Sequence, residues 1–239
     1  MKKVLAATIL CFWPMTSSAF TLVVEDSEYR GWENPEITFN VNTSNCPASV
    51  DVPGLINEAA SVWNNIATSR VKVSYSGSTT STAAANPVTI YCETNFSGYG
   101  DVDSVPAVAG PGSIGHYAVV GIMRLNASAG AANISRFNRE LLLVIIAHEM
   151  GHVLGLGHSQ DPSALMYYNA GAKTNFALAQ DDIDGMTYLY PRDELGDDKM
   201  MGCGLVASTS PKPPSGGLLA IFAVLMLLPL SVYTKLRFT

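Results

Sequence analysis

The apolar positions change their period along the chain, and each change marks an element. Glu36 to Val41 (EITFNV) alternates weakly and predicts a strand. From Pro53 to Ser69, residues Leu55, Ala59, Val62, Trp63 and Ile66 recur at helical spacing. They predict an amphipathic helix with Trp63 in the core. Val71 to Tyr75 and Val88 to Cys92 are rich in β-branched residues and predict strands. The Ser/Thr/Ala-rich stretch Ser76 to Asn86 predicts an exposed loop between them. Gly98 to Gly115 (GYGDVDSVPAVAGPGSIG) is mostly Gly, Pro, Asp and Ser, and predicts a long loop of the functional kind. His116 to Asn126 predicts a buried or edge strand. Ser135 to Val153 opens with a polar turn and continues as LLLVIIAHEMGHV, a helix for the middle of the domain. Ala179 to Tyr190 predicts a last helix, with Asp181 and Asp182 favouring its start and Pro191 ending it.

The same pattern sets off the two ends. Lys2 and Lys3, the apolar run Val4 to Trp13 and the small residues Ser17-Ser18-Ala19 predict a signal peptide over 1–19, cut after Ala19. Gly217 to Tyr233 holds no charge and is about long enough to cross a bilayer. Lys235 and Arg237 follow it, which puts the basic end 235–239 in the cytoplasm and the preceding chain outside. The expected organisation is a body over 20–192, a flexible Gly/Pro/Ser-rich linker over 193–216, and a membrane span or sorting segment over 217–234.

The chain carries 14 Lys+Arg against 20 Asp+Glu, a formal net charge of −6. Four of the basic residues lie in the two ends, so the body is more acidic still. That balance argues against nucleic acid as a partner. Of the 4 cysteines, Cys11 leaves with the signal peptide and Cys203 falls in the linker. Cys46 and Cys92 remain, and an exported chain predicts that they pair. Two readings stand for Asp101 and Asp103: oxygen ligands of a calcium ion, or a solvated turn.

The chemistry is concentrated in HEMGHVLGLGHS, residues 148–159, which holds three of the chain's 4 histidines. A separation of four puts His148 and His152 on one helix face, one turn apart, where both imidazoles reach one ion. Glu149 stands beside them as a base that does not ligate. Gly155 breaks the helix, because glycine tolerates the left-handed conformation. His158 then returns as a third ligand. Three neutral nitrogens with an open fourth position define a catalytic zinc site, not a closed structural one. Burying three histidines and a glutamate without a metal would strand costly polar groups.

This stretch resembles the metzincin zinc signature, and Ser159 after the third histidine resembles the matrixin branch. DPSALMYY (161–168) is similar to the matrixin Met-turn, with Met166 as its methionine. QDDIDGMTYLY (180–190) is similar to the last matrixin helix. The helix with Trp63 and the strand ending RLN (124–126) are more loosely similar. The resemblance implies an α+β, zincin-like domain: a twisted, mostly parallel five-stranded sheet with three helices. It also implies an endopeptidase that takes protein or peptide in extended form along an edge strand, with one catalytic Zn²⁺ and Glu149 as general base. Met166 would floor the site, and Val144 and the chain after Met166 would wall the pocket beyond the scissile bond.

Three departures qualify the resemblance. No segment like the cysteine-switch propeptide of vertebrate matrixins occurs in 20–192, so a bacterial-type chain without that latency is expected. Only His116 is available for the structural zinc of animal relatives, so one ion is expected, and His116 is read as a surface or cleft residue. Tyr168 stands where matrixins usually have proline, whereas astacins and serralysins carry a tyrosine that contacts zinc. Tyr168 is therefore either a pocket-wall aromatic or a residue that reaches the zinc or the developing oxyanion. The tail resembles bacterial tripartite sorting signals, with Cys203 or Ser215-Gly216-Gly217 as recognition points for a sorting protease, and a permanent anchor is the alternative. The expectation is an exported monomer, tethered to the membrane at least transiently. The rival from another class is a non-catalytic, surface-anchored binding module that keeps the fold. Glu149 argues against it, since such a module needs no general base.

Overall fold

A computed structural model describes residues 20–172 and 176–192. The expected signal peptide, linker, span and basic end lie outside the described residues, as does Cys203. Among the described residues, no helix is long and apolar enough to cross a membrane.

Five strands form one sheet: β1 (Glu36–Asn42), β2 (Lys72–Ser78), β3 (Val88–Glu93), β4 (Ala107–Ile114) and β5 (Tyr117–Asn126), in the order β2-β1-β3-β5-β4. The first four in that order run parallel, and β4 closes one edge antiparallel to β5. Among the described residues, three α-helices accompany the sheet: α1 (Val52–Trp63), α2 (Arg139–Leu154) and α3 (Gln180–Leu189). The β-branched strands β1 and β3 lie inside the sheet, so Phe39, Val41, Val88 and Ile90 are wholly buried. Helix α1 turns its apolar stripe (Leu55, Ile56, Ala59, Trp63) onto α2, and Trp63 Nε1 donates to the Ala147 carbonyl at 3.1 Å.

Three expectations are corrected. The helix expected to reach Ser69 stops at Trp63. The Asn64 side chain there accepts from Val73 N–H at 2.7 Å and donates to Val73 O at 2.8 Å, so it serves the neighbouring strand rather than another helical turn. The strand expected to end at Tyr75 runs on to Ser78, into the stretch read as loop. The long loop over 98–115 contains β4. Its glycines and proline hid it, but an edge strand needs a partner on one side alone. Asn126 donates to Pro106 O at 2.8 Å, and antiparallel alternation then turns the backbone groups of Ala107, Ala109 and Pro111 toward the free edge. Pro111 lacks an N–H where none is needed for the β5 ladder.

Cys46, in the segment after β1, is bonded to Cys92 near the end of β3. The bridge closes a loop with a sequence separation of 46, worth about 4 kcal/mol by chain entropy. The Cys46→Ser/Cys92→Ser double variant is expected to melt about 8–16 °C lower by calorimetry. An unchanged melting temperature would remove the bridge from the stability argument.

Candidate metal centre

Helix α2 crosses the middle of the domain with nearly every position buried. Asn138 caps its start, its side chain accepting from Leu141 N–H at 2.8 Å. It ends at Gly155, whose φ of 112° is open to glycine. Gly155 N–H donates to His152 O at 3.0 Å and Leu156 N–H to Gly151 O at 2.9 Å, a Schellman closure that turns the chain back toward the helix.

That turn brings His158 to His148 and His152. One nitrogen from each ring lies within 4.8 Å of those from the other two. Among the described residues, these three side chains form the one group of three or more His, Cys, Asp or Glu able to share an ion. His148 Nδ1 lies 2.8 Å from Leu165 O, and His152 Nδ1 lies 2.9 Å from Leu156 O. A carbonyl accepts only from a protonated nitrogen, so in the neutral rings of both residues Nε2 is the unprotonated atom, the one able to ligate. His152 Nε2 and His158 Nε2 are 3.2 Å apart. Burial lowers His152 to about 4 and also lowers His158, which keeps both imidazoles in the neutral, ligating form at neutral pH. The donor set fits zinc: three neutral imidazoles, two of them oriented by backbone carbonyls.

Glu149 is buried beside them, and its Oε2 has no hydrogen-bond partner. Burial pushes its carboxyl up to about 8, and the N–H of Ala109 on β4 acts the other way. A cation bound by the histidines would also favour the carboxylate. An orphaned carboxylate oxygen in the wall of a cavity is the arrangement a proton acceptor requires.

The floor is built by packing. Met166 is 2% exposed, and a Cβ at Gly151 would stand 2.2 Å from its Sδ and 3.0 Å from Trp63 Cζ2. Only glycine between the two helical ligands lets the Met-turn approach this closely. Gly151→Ala is expected to cost about 1–3 kcal/mol of stability, read from a denaturant midpoint, because Met166 must shift under the histidines. Asp182 holds the turn from behind. Its carboxylate accepts from Leu165 N–H at 2.7 Å, Met166 N–H at 2.9 Å and Ala179 N–H at 2.8 Å. The sequence suggested a helix-start role alone for Asp182. The missed signal is its place on the buried stripe of α3 with Met186 and Leu189, where a carboxylate must find partners.

The remaining candidates are placed as follows. A cavity of about 440 Å³ is lined by His148, Glu149, His152, His158, Tyr168, residues 104–109 before and within β4, and the apolar Phe137, Leu141 and Ile145. Val144 is buried in the core, outside this lining, because it points from a different side of α2 than Ile145. Tyr168 is 55% exposed, and its ring lies 4.5 Å from that of Tyr167, centroid to centroid. Asp101 accepts from Asp103 N–H and Asp103 from Ala131 N–H, each at 2.8 Å, so the first carboxylate braces its own loop and the second ties that loop to the segment after β5. His116 sits in the β4–β5 turn against Asp26 and Glu28, at 3.3 and 3.1 Å.

A matrixin family model (Peptidase_M10) matches residues 31–191. Human neutrophil collagenase is 53% identical over 51 residues, 20% of this chain and 11% of the collagenase. Human matrilysin is 54% identical over 50 residues, 20% of this chain and 19% of matrilysin. The chain therefore aligns with less than a fifth of the length of either relative.

Proposed function

The chain belongs to the matrixin family, and from that membership we propose that it is a zinc-dependent endopeptidase acting on extended segments of proteins or peptides. The observation that carries the reading is the orphaned Glu149 Oε2 beside three convergent imidazoles. His148, His152 and His158 would hold the ion, which when bound would supply Lewis-acid activation of a water and of the scissile carbonyl. Glu149 accepts a proton from the attacking water as its oxygen bonds to the carbonyl carbon, then delivers it to the leaving nitrogen as the C–N bond breaks.

The free edge of β4 supports extended binding. Ala107 and the Ala109 carbonyl face the cavity that holds the histidines, so a substrate strand can add there. Phe137, Leu141 and Ile145 offer an apolar recess to one substrate side chain. Tyr168 walls the cleft, its ring packed beside that of Tyr167. Tyr168→Phe is expected to keep turnover within about 3-fold, whereas a fall of about 10²-fold with intact zinc would assign it to the oxyanion. The disulfide favours an oxidising compartment, consistent with export. The membrane-tethered form of the chain is part of the same proposal, and mass spectrometry of the mature C-terminus tests it.

The deciding experiment is metal analysis of the purified protein with cleavage of a peptide library. One zinc per chain and cuts that disappear with a chelator and return with zinc are expected. A zinc-loaded protein that cuts nothing across the library would favour a binding module instead.

A further inference from the structure

His148 and His152 ride on α2, but His158 stands beyond the helix and is exposed. Its position depends on what holds the short segment 155–158. On its C-terminal side, Ser159 N–H donates to Met166 O at 2.7 Å and Tyr168 N–H to Ser159 O at 3.2 Å. On the other side the partner is the chain's own N-terminal stretch. Val23 N–H donates to Gly155 O at 3.0 Å, Gly157 N–H donates to Thr21 O at 2.8 Å, and Leu22 forms an antiparallel bridge with Leu156. Thr21 Oγ1 donates to the carbonyl of His158 itself at 2.7 Å. The two segments are in tight contact: a Cβ at Gly157 would stand 2.4 Å from Thr21 Oγ1 and 2.7 Å from Leu22 O.

We propose that Thr21–Val23 is a strap that positions the third metal ligand, with the Thr21 hydroxyl fixing the His158 backbone. The proposal rests on the zinc reading above. The physical reason is preorganisation. The backbones of two ligands are spaced by α-helix geometry, whereas the backbone of a ligand on a loop must be ordered when the ion binds unless something orders it beforehand. The strap supplies that order through main-chain bonds to residues 155 and 157 and a side-chain bond to 158. Thr21 touches neither ion nor substrate, so its role is positioning. Residues 21–27 also wall a second cavity that shares Ala109, His152 and His158 with the first, so the strap borders the cleft as well as bracing it.

The test compares zinc affinity of the full chain with Thr21→Val, Thr21→Ser and Gly157→Ala, using competition with a chromophoric chelator. Visible spectra of the cobalt-substituted forms and melting of the metal-free proteins are recorded alongside. Thr21→Val removes one hydroxyl bond at nearly constant shape, so a loss of affinity of about 3–10-fold is expected. Thr21→Ser keeps the bond and is expected within about 2-fold of wild type. Gly157→Ala displaces the strap's backbone and is expected to lose at least as much as Thr21→Val, with a changed cobalt spectrum. Wild-type affinity and spectrum in Thr21→Val overturn the proposal, as does an equal loss in Thr21→Ser. If the wild-type chain binds no zinc, the functional reading fails first. If it binds one zinc and Thr21→Val is indifferent, the strap alone fails.

Discussion

Glu149→Gln is expected to lower peptide turnover by about 10²–10⁴-fold while zinc stays at one per chain, the range for loss of a positioned general base. Glutamine keeps the shape of the side chain but cannot accept a proton at the position of Oε2, the buried oxygen that has no protein partner. The three imidazoles hold the ion through contacts Glu149 does not make. Two of them are oriented by the carbonyls of Leu165 and Leu156. Metal content and turnover should therefore separate. The measurement is kcat on a library-selected peptide, with zinc counted by atomic emission on the same samples. A variant that keeps wild-type kcat would remove Glu149 from the reaction. A variant that loses zinc and turnover together would make it a structural support of the site.

Asp182→Ala has the second large effect, on stability and on the metal at once. The carboxylate is 1% exposed and accepts three backbone N–H groups, from Leu165, Met166 and Ala179. Removing it strands the buried N–H groups of Leu165 and Met166 and the part-buried one of Ala179 at about 1 kcal/mol or more each, so a loss of at least about 3 kcal/mol is expected. In a domain of this size that is at least about 6–12 °C in melting temperature. The effect should also reach the ion. Leu165 donates its N–H to Asp182, and its carbonyl orients His148. Partners that orient a metal ligand typically cost about 10–100-fold in metal affinity when lost. Zinc competition on the folded fraction measures this second part. A variant with wild-type melting, or one that melts early yet binds zinc as tightly as before, would break the link from α3 to the centre.

The line between sequence and tertiary structure runs through single residues. His148 and His152 were legible as ligands because helix geometry alone puts residues four apart on one face. Gly155 was legible because a left-handed helix end selects glycine. The strand β1 was legible from its weak alternation, and β3 because a β-branched run favours a pleated, buried surface. These are local effects, set by neighbours a few residues away. What the local pattern could not carry is pairing across distance. The strand β4 reads as loop, because its Gly-Pro-Gly composition becomes a strand only with β5 beside it. Leu141 and Ile145, not Val144, line the cleft, because rotation of α2 about its axis is decided by what packs against it. Gly151 is small because Met166 arrives from the far side of a turn, and Asp182 is acidic because three N–H groups converge on it from the Met-turn and the start of α3. The residues able to bind the ion were therefore determined by the sequence itself, through the short-range geometry of one helix. Which residues hold those ligands still was decided by the tertiary structure, because orientation comes from contacts between segments that meet only in the fold.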